Sequence, residues 1–324
     1  GNKPFSEYRK YFFRYASEFG FQSFPSVKTL ETVTDDPKEL NPFSYVMEKH
    51  QRNYGGNGKI AKYMQAAYRY PENFSDFVYA SQLLQADGIR YGVEHYRRNR
   101  GRCMGAIYWQ LNDCWPVISW SSIDYYGRWK ALHYYAKRFF APVMLSCEEQ
   151  SWMTVEADMN RQHFEFEKSI RLNVTNETLD AHRVLVKWAV RKTDATILRE
   201  EEQWLEVPAL SAVWMDKVEL PQIDCFNEYV SYEAWENDQI ISQGTVIFSY
   251  PKYFHYLNPG LAVRVDGDEI VVKAEAYAKS VEIRNENDDL ILEDNYFDMN
   301  AGEYRVKILD GKPDGLKVRS VYDI

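Results

Sequence analysis

The sequence predicts an α/β part followed by an all-β part. The first part reads strand, loop, helices, strand, loop and helix, which describes two consecutive β-to-α units. After Val143, short β-branched runs separated by turn residues dominate, as in antiparallel sheets. With 324 residues, 45% of them apolar, the chain is long enough for two or three domains with sizeable cores.

The elements of the α/β part follow from apolar runs and from Gly and Pro breaks. An apolar run predicts a buried first strand that ends near Glu18, and Gly20 breaks it. Asp76 is the expected N-cap of the longest helix. The predicted strands cover residues 11–16 and 103–111, and the predicted helices cover residues 42–52, 59–70, 76–100 and 128–140.

The all-β part is predicted to form two immunoglobulin-like β-sandwich domains, residues 144–250 and 251–324. Residues 265–269 (Val-Asp-Gly-Asp-Glu) carry a hairpin signal. The strands expected in the first domain are 151–155, 163–174, 183–191, 204–207, 213–220, 228–236 and 243–248. The strands expected in the second are 261–265, 269–276, 280–285, 290–294, 302–308 and 316–321.

Charge and composition exclude several classes of partner. The net charge of −9 disfavours nucleic acid and anionic membrane surfaces, and no run of 18 apolar residues is present to span a bilayer. The start, Gly1-Asn2-Lys3, lacks a signal-peptide pattern, and the compartment stays open. The four cysteines and the histidines lack metal-ligand spacing, so we expect neither a metal nor an organic cofactor.

Glu18 is the candidate reactive group. It stands alone at the end of an apolar run, two residues before Gly20, and aromatic residues surround this break. A carboxylate held on a rigid strand beside a pocket suits catalysis. A surface acid at a strand end is the alternative, and the pattern alone does not separate the two. Aromatic residues make up 16% of the chain, which suits either a core or a pocket that stacks sugar rings.

Two segments resemble glycoside hydrolase family 2, in its β-mannosidase branch. Residues 17–26 (Ser-Glu-Phe-Gly-Phe-Gln-Ser-Phe-Pro-Ser) are similar to the family's nucleophile segment. Residues 105–116 (Gly-Ala-Ile-Tyr-Trp-Gln-Leu-Asn-Asp-Cys-Trp-Pro) match a second family segment, and the similarity continues to Val143. The close resemblance covers residues 3–143, and the rest matches only as the family's C-terminal β-domains.

The resemblance implies that residues 1–143 are the C-terminal part of a (β/α)8 catalytic barrel, strands 7 and 8 with their helices. A complete barrel needs eight β/α units, so we expect this chain to be the C-terminal part of a longer enzyme. Its partners would then include the missing N-terminal barrel and sandwich domains. The family's acid/base glutamate follows an asparagine on strand 4, and no such pair precedes Glu18.

The resemblance also assigns roles in hydrolysis of terminal β-D-mannosyl residues. Glu18 would be the nucleophile, and Trp109 the apolar floor under the sugar, although a core Trp is the alternative. Gln110 and Asn112 would bind sugar hydroxyls or order loops, with a structural role favoured for Asn112 and Asp113. The Trp109–Gln110 bond would be cis. The substrates would be β-mannoside oligosaccharides or glycosides, and the chain alone would be inactive without its acid/base.

Two other interpretations remain open at this point. In the first, the chain is a fragment of a β-galactosidase or β-glucuronidase, which belongs to the same family but acts on a different sugar. Alternatively, the β-domains would form a non-catalytic carbohydrate-binding or docking module, which aromatic residues exposed along one sandwich face would favour.

Overall fold

The structure is a computed structural model that describes residues 3–155 and 165–324. The α-helices of the described residues are α1 (Val27–Leu30), α2 (Tyr45–Lys49), α3 (Gly56–Ala67), α4 (Phe74–Arg98) and α5 (Ala131–Phe139). Short 3₁₀ helices cover Phe5–Lys10, Pro37–Glu39, Pro251–Tyr253 and Val321–Asp323. None of the helices in this part of the chain combines the length and the apolar character that crossing a membrane requires.

The strands of the described residues are β1 (Ala16–Phe19), β2 (Ala106–Tyr108), β3 (Val143–Gln150), β4 (Ser169–Asn176), β5 (His182–Lys192), β6 (Ile197–Val207), β7 (Ser211–Trp214), β8 (Val218–Glu219), β9 (Glu228–Glu236), β10 (Gln239–Ile247), β11 (Ala262–Asp266), β12 (Glu269–Ala274), β13 (Ala278–Arg284), β14 (Ile291–Leu292), β15 (Phe297–Met299), β16 (Gly302–Asp310) and β17 (Lys317–Arg319). β1 pairs with β2 in a two-stranded sheet.

The chain divides into two compact units, each made of three segments. The first unit contains residues 1–17, 90–107 and 137–255, and the second contains residues 18–89, 108–136 and 256–324.

The first unit is built around two antiparallel sheets. One sheet has the order β10-β9-β5-β6 and the other β3-β4-β7, with β8 also paired to β4. Alternate residues of β5, among them Val184, Val186 and Trp188, point into one apolar core together with Leu145, Leu172 and other buried side chains of the opposite sheet. The two-residue period of a strand explains this pattern, since successive side chains point alternately into the core and away from it.

The second unit combines helices with two further antiparallel sheets. Their strand orders are β11-β12-β16-β14 and β15-β13-β17. The β11–β12 hairpin turns at residues 266–269, as the sequence predicts. Helix α4 joins β13 through Tyr79, whose hydroxyl donates to the carbonyl of Ser280 at 2.5 Å. Arg319 on β17 forms an ion pair with Asp76 at 3.0 Å.

Several predicted elements are wrong at their ends. The first strand is β1 and not residues 11–16, because the residues from Ala16 onward are the ones that pair with β2. Tyr11, Phe12 and Phe13 lie before this strand and are exposed. Residues 103–111 shorten to β2. The helix of residues 42–52 shortens to α2, which begins after its N-cap Ser44, whose Oγ accepts from the amide of Met47 at 3.2 Å.

Other predictions miss elements or caps. Residues 151–155 form a turn, while the strand lies just before them as β3. The predicted strand 163–174 begins at Ser169 in the structure; its residues 163 and 164 lie outside the described residues. Asn73, not Asp76, caps α4, because its Oδ1 accepts from the amide of Asp76 at 2.9 Å.

Candidate functional site

Glu18 lies on β1 with an exposed side chain. The next residue, Phe19, accepts a hydrogen bond at its carbonyl from the amide of Trp109, at an N···O distance of 2.8 Å. The two segments singled out in the sequence, 91 positions apart (109 − 18), therefore meet at the ends of β1 and β2. Glu18 is one residue from the backbone bond that joins them.

Gly20 permits this close approach. A Cβ atom at position 20 would lie 2.3 Å from the Trp109 carbonyl oxygen and 2.9 Å from Cδ1 of Trp120. Both distances are shorter than real Cβ contacts, and the first involves backbone that cannot swing away. The glycine after the candidate nucleophile is thus required by packing against the tryptophan segment.

Buried polar residues of helix α4 fix the chain that follows Gly20. The side-chain amide of Gln85 donates through Nε2 to the backbone carbonyl of Phe21 at 2.8 Å and to that of Ser121 at 3.2 Å. Its Oε1 accepts a hydrogen bond from Ser23 Oγ at 2.6 Å. Gln82 donates to the carbonyl of Phe24 at 3.1 Å. The sequence analysis does not predict the role of these two glutamines. The feature that could have indicated it is the presence of amide side chains within the apolar stripe of a helix.

The Trp109 segment presents an aromatic side chain and a tightly bonded loop. The Trp109–Gln110 peptide bond is cis, and the Trp109 side chain is 50% exposed. The side chain of Gln110 donates to the carbonyl of Asn112 at 2.9 Å and to Asp113 Oδ1 at 3.2 Å. Asn112 itself is exposed. In this structure Gln110 orders the loop, and Trp109 and Asn112 are open to solvent.

A buried lysine and two carboxylates lie behind this loop. Asp113 is buried and accepts from Ser119 Oγ at 2.7 Å, while its Oδ2 has no hydrogen-bond partner among the residues that the structure describes. Lys130 is 1% exposed, and its Nζ donates to the carbonyl of Ser23 at 3.3 Å. Burial lowers the pKa of Lys130 to about 7, against the opposing attraction of Asp113 and Asp124. Sequence alone does not single out Lys130, because nothing in its sequence neighbourhood distinguishes it from an ordinary surface lysine.

The arrangement offers one exposed carboxylate near one half-exposed tryptophan, on rigidly bonded backbone. A carboxylate can act as a nucleophile, and an indole face can carry the apolar face of a sugar ring. Within residues 3–155 and 165–324, no three His, Cys, Asp or Glu side chains are grouped so that they could hold a metal ion.

Both β-rich regions match family models of known domains. Residues 168–253 match a family model described as a mannosidase Ig/CBM-like domain, and residues 256–324 match an Ig-fold domain of mannosidases. These matches agree with the predicted immunoglobulin-like architecture of the all-β part.

Relatives and solved structures extend the similarity to the whole chain. β-Mannosidase B of Thermothelomyces thermophilus is 30% identical over 95% of this chain and 39% of its own length. β-Mannosidase of Capra hircus is 39% identical over 144 residues, which are 40% of this chain and 16% of the relative. The crystal structure of a β-D-mannosidase from Dictyoglomus thermophilum superposes with a TM-score of 0.84 at 26% identity, over 99% of this chain and 39% of that one.

These similarities define a class of carbohydrate-hydrolysing enzymes with C-terminal immunoglobulin-like domains. The matches support the resemblance to the C-terminal part of enzymes of glycoside hydrolase family 2, in its β-mannosidase branch. It spans about two fifths of the length of the T. thermophilus relative.

Proposed function

We propose that this chain is the nucleophile-bearing part of a retaining exo-β-mannosidase, which hydrolyses terminal β-D-mannosyl residues of oligosaccharides or glycosides. The observation that carries the proposal is the pairing of Phe19 with Trp109, which sets the exposed Glu18 beside the half-exposed Trp109. The resemblance of both segments to the family and the similarity to β-mannosidases support the same assignment.

Glu18 is the proposed nucleophile. Its carboxylate attacks the anomeric carbon, the bond to the aglycone oxygen breaks, and a proton from the acid/base passes to that oxygen. Water, deprotonated by the same acid/base, then attacks the anomeric carbon of the glycosyl ester and releases mannose and the Glu18 carboxylate. Trp109 forms the floor under the sugar. Gln110 and Asn112 either contact the sugar hydroxyls directly or order the loop that contacts them.

Residues 1–143 are proposed to supply strands 7 and 8 of a (β/α)8 barrel, with β-sandwich domains at 144–250 and 251–324. The acid/base would come from barrel strands outside this chain, since retaining hydrolysis needs two carboxyl groups about 5 Å apart. The chain by itself is then expected to be inactive. This expectation separates the proposal from one in which the chain carries a complete site.

The first experiment assays this chain on chromogenic β-mannoside, β-galactoside and β-glucuronide substrates. We expect no turnover by the chain and β-mannoside turnover by the longer protein. Turnover by the chain would mean that a second carboxylate comes from within it, which contradicts the incomplete site. If the longer protein hydrolysed the galactoside or the glucuronide instead, the family assignment would stand but the sugar specificity proposed here would be wrong.

The nucleophile is tested in the longer protein with Glu18→Ala and with the exposed-residue control Glu72→Gln. Loss of a carboxylate nucleophile should lower kcat/KM by several orders of magnitude. Added azide should restore glycosyl transfer by Glu18→Ala and give an α-mannosyl azide, because the small anion attacks where the carboxylate did. Glu72→Gln should retain normal turnover. Substantial activity of Glu18→Ala without azide would refute the assignment.

A further inference from the structure

An apolar row crosses the outer face of the first unit's four-stranded sheet. Leu185 on β5 pairs with Trp204 on β6 and with Trp235 on β9, and Trp235 pairs with Ile240 on β10. Directly paired residues point to the same face of a sheet. The four side chains therefore form one continuous line across all four strands, which we call the tryptophan row.

The tryptophan row faces away from the core. Its neighbours along the strands, Val184, Val186 and Ala234, belong to the buried core on the opposite face. Trp204 and Ile240 are 54% and 42% exposed, and Leu185 and Trp235 are partly exposed. Two strand spacings of about 4.8 Å separate the tryptophans, so their rings are carried roughly 10 Å apart.

Charged side chains border the tryptophan row and lie over the faces of its indoles. Arg183 lies over the Trp204 ring, 4.6 Å from its centroid, and also pairs with Glu206 at 3.4 Å. Lys187 lies 5.3 Å from the Trp235 centroid and pairs with Glu202 at 3.6 Å.

The Trp235 indole is held on its other side as well. Its Nε1 donates to Glu233 Oε2 at 2.9 Å. This hydrogen bond restrains the Trp235 ring before any ligand arrives, which lowers the entropy lost on binding.

The geometry points to a second carbohydrate site on this face, one that binds a neutral β-linked oligosaccharide along the tryptophan row. A pyranose ring has an apolar C–H face and a rim of hydroxyls, and the row offers an apolar line with hydrogen-bonding groups along its border. Two indoles carried on the outer two of three adjacent strands suit two units of one extended sugar chain. This inference goes beyond the proposed hydrolysis and does not depend on it.

Other ligand classes fit this surface less well. The border carries Arg183 and Lys187 against Glu202, Glu206 and Glu233, so it lacks the excess positive charge that nucleic acid requires. A stable protein interface needs roughly 800 Å² on each partner and a core depleted in charge. The tryptophan row is one residue wide and is bordered by charged residues.

The cations over the rings are part of the expected recognition. A cation stacked on an exposed indole is held weakly, so a sugar can replace it over the ring. The displaced Arg183 and Lys187 side chains would remain within reach of the sugar's hydroxyl groups. Binding of a neutral ligand should accordingly depend little on salt, whereas an anionic ligand would bind more weakly as salt rises.

The test is isothermal titration calorimetry of this chain with a β-1,4-linked mannohexaose, at low and high salt. We expect saturable binding that weakens by roughly three- to tenfold in Trp204→Ala and in Trp235→Ala, and that disappears in the double variant. Mannobiose should bind more weakly than mannohexaose, because it covers one indole. A Trp235→Tyr variant should retain most of the affinity and covers the case in which Trp235→Ala fails to fold.

Trp214 provides the matched control. It lies on β7 of the other sheet, with Arg171 stacked 4.7 Å from its centroid, but outside the tryptophan row. Trp214→Ala should leave the affinity unchanged. Absence of binding at millimolar oligosaccharide, or binding that survives in the double variant, would overturn the proposal. Affinity that falls with Trp109→Ala and not with the row variants would assign the binding to the candidate catalytic segment, which also overturns it.

Discussion

Gly20, two residues after Glu18, lies so close to the tryptophan segment that a side chain at this position would overlap it. We predict that Gly20→Ala destabilises the chain by about 1–3 kcal/mol, because the added Cβ overlaps the Trp109 carbonyl and forces the backbone to move. Denaturant titration measures the change. Gly58→Ala is the control: that glycine lies within α3 with open space around it, so the alanine should stabilise by about 0.5–1 kcal/mol. Equal effects of the two substitutions would contradict the packing explanation.

Lys130 should make stability depend on pH above neutrality. Burial holds its pKa at about 7 in the folded chain, below the usual lysine value of 10.5. Between these values the unfolded chain binds more protons than the folded chain, so the free energy of unfolding rises with pH. Stability from this residue is complete above pH 10.5 and is lost as the pH falls through 7.

We predict that Lys130→Met removes this dependence. The difference in unfolding free energy between the original chain and the variant should change by on the order of 1 kcal/mol per pH unit between pH 7 and 9.5. Urea titrations at several pH values measure it, and Lys62→Met, an exposed lysine of α3, should show no such slope. Parallel pH profiles for the original chain and Lys130→Met would show that Lys130 stays charged when buried.

At the scale of elements, one buried carboxylate joins three parts of the first unit. Glu149 on β3 forms an ion pair with Arg9 of the 3₁₀ helix Phe5–Lys10 at 2.9 Å and accepts a hydrogen bond from Tyr91 of α4. Burial raises the pKa of the Glu149 carboxyl, but Arg9 and Tyr91 outweigh it and hold that pKa below its usual value. Burial, followed by the charge of Glu149, raises the pKa of Tyr91 well above 10, so the phenol keeps its proton and donates.

We predict that Arg9→Met destabilises the chain by about 3–5 kcal/mol, because it leaves Glu149 buried and charged without its cation. The adjacent Lys10 pairs with Glu7 at 2.9 Å but is 62% exposed in its side chain. Lys10→Met should therefore change stability by less than about 0.5 kcal/mol. Thermal and denaturant unfolding compare the two. A small effect of Arg9→Met would show that water reaches Glu149 in the variant.

The elements that sequence predicts well are those whose side chains alternate between core and solvent. β5 and β9 agree with prediction within a residue at each end, because one face of each is buried. β6 was predicted only at residues 204–207, although it begins at Ile197. Its first residues are exposed and mostly charged, and they are strand because their backbone bonds to β5, which composition does not reveal.

At the scale of the whole molecule, local sequence indicates which segments matter but not what supports them. The motifs around Glu18 and Trp109 were recognisable in the sequence, and the structure brings them together. Gln85 and Lys130 became visible only in the structure, because their roles depend on carbonyls and carboxylates distant in sequence. The tryptophan row likewise requires the registers of β5, β6 and β9, since Trp204 and Trp235 are 31 residues apart (235 − 204).

Large apolar side chains remain exposed in the first unit. Tyr11, Phe12, Phe13, Tyr15 and Ile107 are each between 44% and 54% exposed. Grouped exposed apolar residues promote association, because burial removes their surface from water. We therefore predict that this chain self-associates reversibly, and that the proposed longer protein, whose additional barrel strands would cover this surface, does so less.

Sedimentation velocity over about a hundredfold range of concentration measures this association, which should increase with concentration by mass action. The double variant Phe12→Ser, Tyr15→Ser should shift the chain toward monomer. Tyr54→Ser, Tyr70→Ser is the control, since those two tyrosines are 100% and 92% exposed but lie outside this group of residues. A chain that is monomeric at every concentration would contradict the prediction and mean that these side chains tolerate water. The barrel strands proposed above would then be needed for the catalytic acid/base alone. Association that the Phe12 and Tyr15 substitutions abolish would mean that the same strands also serve to cover this apolar surface.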